Sequence, residues 1–165
     1  MSTSATNEKV IAITGASSGI GEETAKQLVN NGFNVALLAR SEDKLRALVE
    51  ELGNDNAFAV KADVSDFNEL DKAFKQVSEH FGRIDGIFAN AGRGAKAAGI
   101  EKGDVDDWDG MLGANVNGLL YTAKAGLPYL RDTQGHFIIT SSVAGRIALK
   151  GSVYGASKWF AYGFG

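Results

Sequence analysis

The segment that most constrains the fold is a glycine-rich turn between a strand pattern and a helix pattern. Residues 9–13 form a short apolar, β-branched run that is typical of a buried strand. Residues 14–21 follow directly and contain three glycines, and Ile20, Thr24 and Leu28 then recur at helical spacing. Glycines allow a tight turn that a ligand can approach closely, and the first N–H groups of a helix attract anions. The order strand, turn, helix therefore predicts a phosphate-binding site rather than a merely flexible turn.

Strand and helix patterns alternate along the chain. The strand patterns cover residues 9–14, 34–39, 57–61, 84–89 and 136–140, and the helix patterns cover residues 19–31, 42–52, 67–81 and 106–131. Such alternation implies parallel strands joined by right-handed crossovers. The sequence therefore predicts one α/β domain over residues 1–165: a doubly wound parallel sheet of the Rossmann type, in three layers α/β/α. In such sheets ligands bind beyond the carboxyl ends of the strands.

A tyrosine and a lysine stand four residues apart near the end of the chain. On a helix, Tyr154 and Lys158 would share one face, one turn apart. A neighbouring ammonium favours the ionised form of a phenol, so the pair is a candidate general acid or base. Taken alone, the pattern also fits a packed tyrosine beside a solvated lysine.

Six short motifs occur in one order between residue 9 and residue 165. They are Thr-Gly-Ala-Ser-Ser-Gly-Ile-Gly at residues 14–21, Asp63-Val64, Asn90-Ala91-Gly92, Asn115, Ser141-Ser142-Val143-Ala144-Gly145, and Tyr154 with Lys158. In content, order and spacing the chain resembles the short-chain dehydrogenases/reductases. The resemblance implies a dinucleotide cofactor and a small-molecule alcohol or ketone substrate.

The resemblance also implies a role for each matched residue. The catalytic residues would be Ser142, Tyr154, Lys158 and Asn115. The tyrosine would exchange a proton with the substrate oxygen, and the lysine would tune the tyrosine and bind the nicotinamide ribose. The serine would hydrogen-bond the substrate oxygen, and the asparagine would hold a water in a proton relay, although it also fits a residue that caps or kinks a helix. The residues expected to contact the dinucleotide are Gly15, Ser17, Ser18, Gly19, Ile20, Gly21, Arg40, Asp63, Val64, Asn90, Ala91, Gly92, Tyr154 and Lys158.

The serine assignment leaves an alternative open. In the family the catalytic serine often stands thirteen residues before the tyrosine, whereas Ser142 stands twelve before Tyr154 and Ser141 thirteen. We prefer Ser142 because it aligns through Ser-Val-Ala-Gly, and the following loop can be one residue shorter. Strand alternation would allow only one of the two serines to face the site.

The end of the second strand pattern bears on the type of dinucleotide. A carboxylate about 20 residues past the glycines usually binds the ribose of NAD. This chain has Ala39 there, followed by Arg40, whose guanidinium can pair with a 2′-phosphate. We therefore expect NADP(H) in preference to NAD(H), which stays possible. The alternative is that Arg40 pairs with Glu42 or Asp43 on the surface.

Composition excludes several other classes. The net charge is −3 without a basic block, which argues against a nucleic-acid partner. There is no cysteine, and the two histidines, His80 and His136, lie far apart, so no metal site is expected. No run of 18 apolar residues and no secretory signal occurs, so neither membrane insertion nor export is expected and the cytoplasm is the default location.

The predicted function is that of an NADP(H)-dependent oxidoreductase that interconverts a secondary alcohol and a ketone. Family members are usually longer than this chain of 165 residues. The resemblance thus implies that further C-terminal strands and a substrate-covering loop are absent, and that relatives form homodimers or homotetramers. A cofactor-binding module without turnover and an interaction protein that retains the fold are the alternatives. The substrate stays open.

Overall fold

The computed structural model describes residues 9–97 and 99–165, and a parallel sheet of five strands forms its centre. The strands are β1 (Val10–Thr14), β2 (Asn34–Ala39), β3 (Ala57–Lys61), β4 (Gly86–Ala89) and β5 (His136–Ile139). Their order across the sheet is β3-β2-β1-β4-β5, and every paired neighbour is parallel. The predicted doubly wound parallel sheet is confirmed.

The order of the strands reverses direction at the centre of the sheet. β1 pairs with β2 on one side and with β4 on the other, so the chain crosses from β3 at one edge to β4 beyond β1. The segments that follow β1 and β4 therefore leave the same edge of the sheet side by side. This is the switch point at which open α/β sheets bind ligands.

Six α-helices cover the two faces of the sheet in the described residues. They are α1 (Gly19–Asn30), α2 (Glu42–Leu52), α3 (Phe67–Phe81), α4 (Val105–Leu112), α5 (Gly118–Thr133) and α6 (Val153–Phe164). The buried residues of α1 and α2 pack on one face, against the side chains of Val35 and Leu37. Those of α3 and α5 pack on the other face, against Ala36 and Leu38. Because successive strand residues point to opposite faces, β2 is buried on both, which gives the predicted three layers.

The amphipathic pattern of α3 shows how the local sequence sets these elements. Leu70, Phe74 and Val77 are fully or almost fully buried at helical spacing. The Asp66 carboxylate caps the helix by accepting from the N–H groups of residues 68 and 69, and Gly82 ends it at a φ of +76°. A cap, an apolar stripe and a terminal glycine together fix its length.

The predicted single helix over residues 106–131 is wrong in detail. Between α4 and α5 the chain forms a π-helical turn over Gly113–Asn117, and α5 continues to Thr133. Nothing in the apolar periodicity distinguishes such a wide turn from a continuous helix. The predicted strand over residues 84–89 begins later, at Gly86.

The structure also bears on membrane insertion and metal binding. Among the helices of residues 9–97 and 99–165, none has both the length and the apolar character that crossing a bilayer requires. The same part of the chain contains no group of three or more His, Cys, Asp or Glu side chains that could hold a metal ion. His80 instead stacks on the ring of Phe58, with the ring centroids 4.0 Å apart.

Candidate active site

The carboxyl ends of the strands open onto one polar cleft of about 790 Å³. The predicted site residues that border it are Gly15, Ser17, Ser18, Ile20, Arg40, Asp63, Val64, Asn90, Ala91, Gly92, Ser142, Tyr154 and Lys158. Three others, Gly19, Gly21 and Asn115, lie outside its lining. Segments from all five strand ends, far apart in sequence, therefore meet at a single place.

The glycine-rich turn after β1 has a shape that only glycine fits. Gly15 has a φ of +68°, and a Cβ there would stand 2.9 Å from the Cα of Ala91. A Cβ on Gly21 would overlap the carbonyl oxygen of Gly15. Ser18 occupies the N-cap position of α1, but in the part of the chain that the structure describes its hydroxyl forms no capping hydrogen bond. The first N–H groups of α1 are therefore without a hydroxyl cap, an arrangement that fits a phosphate.

A hydrogen-bonded bridge joins the turn after β1 to the segment after β4. The Thr14 hydroxyl oxygen accepts from the backbone N–H groups of Asn90 at 3.1 Å and Ala91 at 3.2 Å. The Asn90 side-chain amide donates to the carbonyl of Thr14 at 3.3 Å. The two loops at the switch point are thus held at a fixed distance beneath the cleft.

Lys158 lies at the base of the cleft with only 7% of its surface exposed. Its Nζ donates to the carbonyl of Thr140 at 3.0 Å and stands 5.9 Å from the centroid of the Tyr154 ring. Burial lowers the pKa of the Lys158 ammonium below its ordinary value of 10.5. Tyr154 itself is half-buried and borders the cleft. The structure therefore brings together the two residues whose spacing first indicated proton transfer.

The two neighbouring serines both border the cleft, contrary to the expectation from strand alternation. β5 ends at Ile139, so both serines lie in irregular chain where alternation no longer applies. Their hydrogen bonds nevertheless distinguish them. The Ser141 hydroxyl donates to the carbonyl of Lys158 at 3.0 Å. The Ser142 hydroxyl oxygen accepts from the N–H of Ala144 at 3.2 Å, which leaves its proton available to another acceptor.

Asn115 sits within the π-helical turn and is only 4% exposed. Its Oδ1 accepts from the N–H of Arg93 at 2.9 Å. Its Nδ2 donates to the carbonyl of Arg93 at 2.9 Å and to the Ser157 hydroxyl at 3.0 Å. Both amide protons are used, so the side chain ties the loop after β4 to α6. Its expected role in a water relay stays a prediction.

Charged side chains occupy the end of the cleft near β2 and β3. Nη1 of Arg40 lies 3.7 Å from the Asp63 carboxylate, while Glu42 pairs with Arg46. Burial alone would raise the pKa of the Asp63 carboxyl, but hydrogen bonds from Ser65 and the charge of Arg40 outweigh it, and the pKa is lowered. The surface pairing of Arg40 with Glu42 or Asp43 is therefore not what the structure shows. The Arg40 side chain remains 74% exposed.

Several side chains of the site carry no signal in the sequence. Ser41 and Lys44 border the cleft beside Arg40. The Thr140 hydroxyl donates to Oδ1 of Asn90 at 3.0 Å, although the two residues are 50 positions apart. Asp107 resembles any acidic residue in the first turn of a helix, yet its carboxylate is buried. Only knowledge of long-range contacts identifies such residues.

A second groove, of about 780 Å³, runs along the exposed side of α1. Its lining is Gly19, Ile20, Glu23, Thr24, Gln27, Leu28, Asn31 and Phe33. This set contains one ionisable side chain and none of the tyrosine, lysine or serine residues described above. We therefore place the chemistry in the polar cleft.

Comparison with known proteins agrees with this architecture. The model of the family described as short chain dehydrogenase matches residues 9–165. An oxidoreductase from Botryotinia fuckeliana is 42% identical over 158 residues, which are 94% of this chain and 57% of the relative. An uncharacterized oxidoreductase from Staphylococcus saprophyticus is 40% identical over 92% of this chain and 62% of its own length. The chain thus spans about three fifths of the length of these relatives.

Solved structures show the same likeness. The alcohol dehydrogenase of the archaeon Thermococcus sibiricus, complexed with 5-hydroxy-NADP, has a TM-score of 0.89 and 34% identity, covering 94% of this chain and 68% of that one. A short chain dehydrogenase/reductase from Burkholderia phymatum, in complex with NAD, has a TM-score of 0.88 and 28% identity. The match covers 94% of this chain and 57% of that one.

Proposed function

The chain belongs to the short-chain dehydrogenase family, and from this premise we propose that it forms the core of an NADP(H)-dependent oxidoreductase that interconverts a secondary alcohol and a ketone. One observation carries the proposal. The cleft that begins at the glycine-rich turn also contains Ser142 and Tyr154, with the ammonium of Lys158 buried beneath them. A dinucleotide site and a proton donor therefore share one cavity.

The chemistry divides between the bound dinucleotide and the chain. When bound, the nicotinamide supplies the hydride for ketone reduction or accepts it during alcohol oxidation. Tyr154 gives its phenolic proton to the substrate oxygen in reduction and takes a proton back in oxidation. Ser142 donates a hydrogen bond to the same oxygen, keeps its proton, and so stabilises the negative charge that develops there.

The buried lysine lies next to the tyrosine. The Thr140 carbonyl accepts from the ammonium of Lys158 and fixes its Nζ 5.9 Å from the centroid of the Tyr154 ring. In this proposal Lys158 also binds the ribose hydroxyls next to the nicotinamide. Asn115 holds the loop after β4 against α6 and so keeps the lysine and tyrosine in register with the cleft.

The preference for NADP(H) rests on the cleft wall at the end of β2. Ala39 stands where a carboxylate would repel a 2′-phosphate, and the cations Arg40 and Lys44 border the same region. A solved relative complexed with a 5-hydroxy-NADP supports this direction, whereas another relative carries NAD. We expect Arg40→Met to weaken NADPH binding about 10- to 100-fold, since one charge-assisted hydrogen bond contributes about 1.5–3 kcal/mol. NADH binding to the same variant should change little, and an equal loss for both would contradict the assignment.

The proposal is tested on the full-length protein that contains this chain. NADPH oxidation is followed by absorbance with a panel of ketones, and NADPH binding is measured separately by fluorescence. Turnover with at least one ketone is expected. Binding without turnover would favour a cofactor-binding module, which the shorter length of this chain relative to its relatives keeps as the alternative. Absence of binding would exclude both.

Assembly and location stay predictions. Leu120 and Leu127 on α5, and Trp159 and Tyr162 on α6, are exposed apolar side chains. They supply the kind of surface that a homodimer or homotetramer would bury. Light scattering of the full-length protein measures the assembly, and a monomer would contradict it. The cytoplasm is the expected location, and the substrate within the class of alcohols and ketones stays open.

A further inference from the structure

A buried carboxylate outside the motif residues accepts hydrogen bonds from the loop after β4 at both of its oxygens. The Asp107 side chain is only 2% exposed. Its Oδ1 accepts from Nη1 of Arg93 and its Oδ2 accepts from the N–H of Lys96 at 2.8 Å. Nη2 of Arg93 also donates to the backbone carbonyl of Asp107 at 2.7 Å. The first turn of α4 is therefore hydrogen-bonded to the loop at Arg93 and at Lys96.

The same arginine is the start of a hydrogen-bonded chain into α6. Its backbone N–H and carbonyl bond to the two ends of the Asn115 side-chain amide. Nδ2 of Asn115 donates to the Ser157 hydroxyl, and this hydroxyl donates to the backbone carbonyl of Tyr154 at 2.7 Å. Three residues, Arg93, Asn115 and Ser157, thus connect Asp107 to the helix turn that carries the proton donor.

There is little free space along this chain of contacts. A Cβ on Gly110 would stand 2.9 Å from Nη2 of Arg93, and a Cβ on Gly92 would stand 2.9 Å from Oδ1 of Asn115. Packing this close leaves the arginine few alternative positions. The hydrogen bond from the Lys96 N–H and the Arg93 guanidinium also lower the pKa of the Asp107 carboxyl, which keeps it ionised at neutral pH.

Arg93 borders the cleft on the side of Tyr154 and Ser142, away from Arg40 and Lys44. Although its side chain is 36% exposed, its guanidinium is held by Asp107, so the arginine supports the cleft wall as a strut. Displacement of that strut would move Asn115, and through Ser157 the backbone at Tyr154. It would leave the glycine-rich turn after β1 in place.

We infer that Asp107 is a positioning residue of the active site, which acts through Arg93 and Asn115 to hold Tyr154 for proton transfer and takes no part in holding the dinucleotide. The inference rests on the proposed function. It assigns a role to a carboxylate that is not among the residues bordering the cleft.

The test compares Asp107→Asn with Asp106→Asn in the full-length protein. The two residues are neighbours in the first turn of α4, but Asp106 is exposed. The rate constant for hydride transfer is measured in single turnovers with NADPH and with its deuterated form, and the NADPH dissociation constant is measured separately. Asp107→Asn should lower the rate constant about 10- to 100-fold and enlarge the isotope effect, with the dissociation constant changed less than threefold. Asp106→Asn should match the wild type.

The readout separates positioning from loss of folded protein. Partial unfolding lowers the amplitude of a single turnover and leaves its rate constant unchanged, so a change in amplitude alone would overturn the inference. A loss of NADPH binding that parallels the loss of rate would also overturn it. If the wild type binds NADPH without turnover, the proposed function fails first.

A second variant keeps the test informative if Asp107→Asn does not fold. Arg93→Lys retains a cation beside the buried carboxylate and loses the paired donors of the guanidinium. We expect a rate constant clearly below that of the wild type, with NADPH binding unchanged. A rate constant equal to that of the wild type would contradict a role for the arginine as a strut.

Discussion

The two halves of the cleft are built by different means. The half below β1, β2 and β3 is made largely of backbone: a turn with glycines at positive φ, the beginning of α1, and side chains such as Arg40 that stay mostly exposed. The half below β4, β5 and α6 is made of buried side chains. There the side chain of Asn115 bonds to Arg93 and Ser157, that of Thr140 bonds to Asn90, and that of Lys158 bonds to the Thr140 carbonyl. Most of these partners lie far apart in the sequence.

This difference agrees with what each half would hold in the proposed function. A pyrophosphate needs several N–H donors at a concave surface, which a short stretch of backbone provides by itself. Proton transfer needs a few side chains at fixed mutual distances, and such distances are kept only by packing and by further hydrogen bonds around them. The first two variants below each act on one half and leave the other intact.

The largest expected effect comes from removing the proton donor. Tyr154→Phe keeps the ring and loses the hydroxyl, so ketone reduction should fall by about 10²- to 10⁴-fold. The NADPH dissociation constant, measured by fluorescence titration, should stay within about threefold because the glycine-rich turn is unchanged. Retained turnover would contradict the role of Tyr154 and with it the division of the cleft.

A substitution in the glycine-rich turn should affect the backbone half of the cleft instead. Gly15→Ala places a Cβ close to Ala91 in a residue with a φ of +68°, so the turn must shift. We expect NADPH binding to weaken at least about tenfold, corresponding to about 1.4 kcal/mol. Gly163→Ala is the matched control, because a Cβ there would meet nothing within 4 Å. Equal binding by both variants would show that the turn does not shape the site.

A smaller effect is expected where the two halves meet. Thr140→Val removes the hydroxyl that donates to Oδ1 of Asn90 but keeps the carbonyl that holds Lys158. The free energy of unfolding should fall by about 1–3 kcal/mol, the cost of a polar group left without its partner. Thr24→Val, at a half-buried position on α1, is the control. Chemical denaturation measures both, and an equal stability of the two variants would argue that the Thr140 bond contributes nothing.

The smallest effect concerns pH. Burial lowers the pKa of folded Lys158 below 10.5, so between these two values the unfolded chain binds more protons and stability rises with pH. Below the folded pKa the penalty for burying the charge is fully present. The wild type should therefore gain stability relative to Lys158→Met as the pH rises from neutral toward 10.5. Denaturation at several pH values measures this gap, and a constant gap would show that the burial of the ammonium has no cost.

The sheet topology and the glycine-rich turn after β1 could be predicted from the sequence, because both have strong local patterns. The β-branched run, the glycines and the helical spacing near residues 9–28 indicate a strand, a turn and a helix before any distant partner is known. The π-helical turn, the bond from Thr140 to Asn90 and the burial of Asp107 could not be predicted in this way. Each depends on atoms brought together only after the sheet has formed. The serine pair shows the same limit, since only hydrogen bonds formed in the fold distinguish Ser141 from Ser142.

The π-helical turn over Gly113–Asn117 has a consequence for how this chain tolerates insertions and deletions. Each residue of an α-helix advances the direction of its side chain by about 100°. A π-helical turn holds one residue more than an α-helical turn, so removing one residue here would restore a regular helix and leave α5 with the same face toward the sheet. Removing one residue within α5 would instead rotate everything after it by that angle, and the residues that follow would turn away from the sheet. We therefore expect a single-residue deletion in this turn to lower the stability less than one in the middle of α5, as long as Asn115 and its bonds to Arg93 and Ser157 are kept.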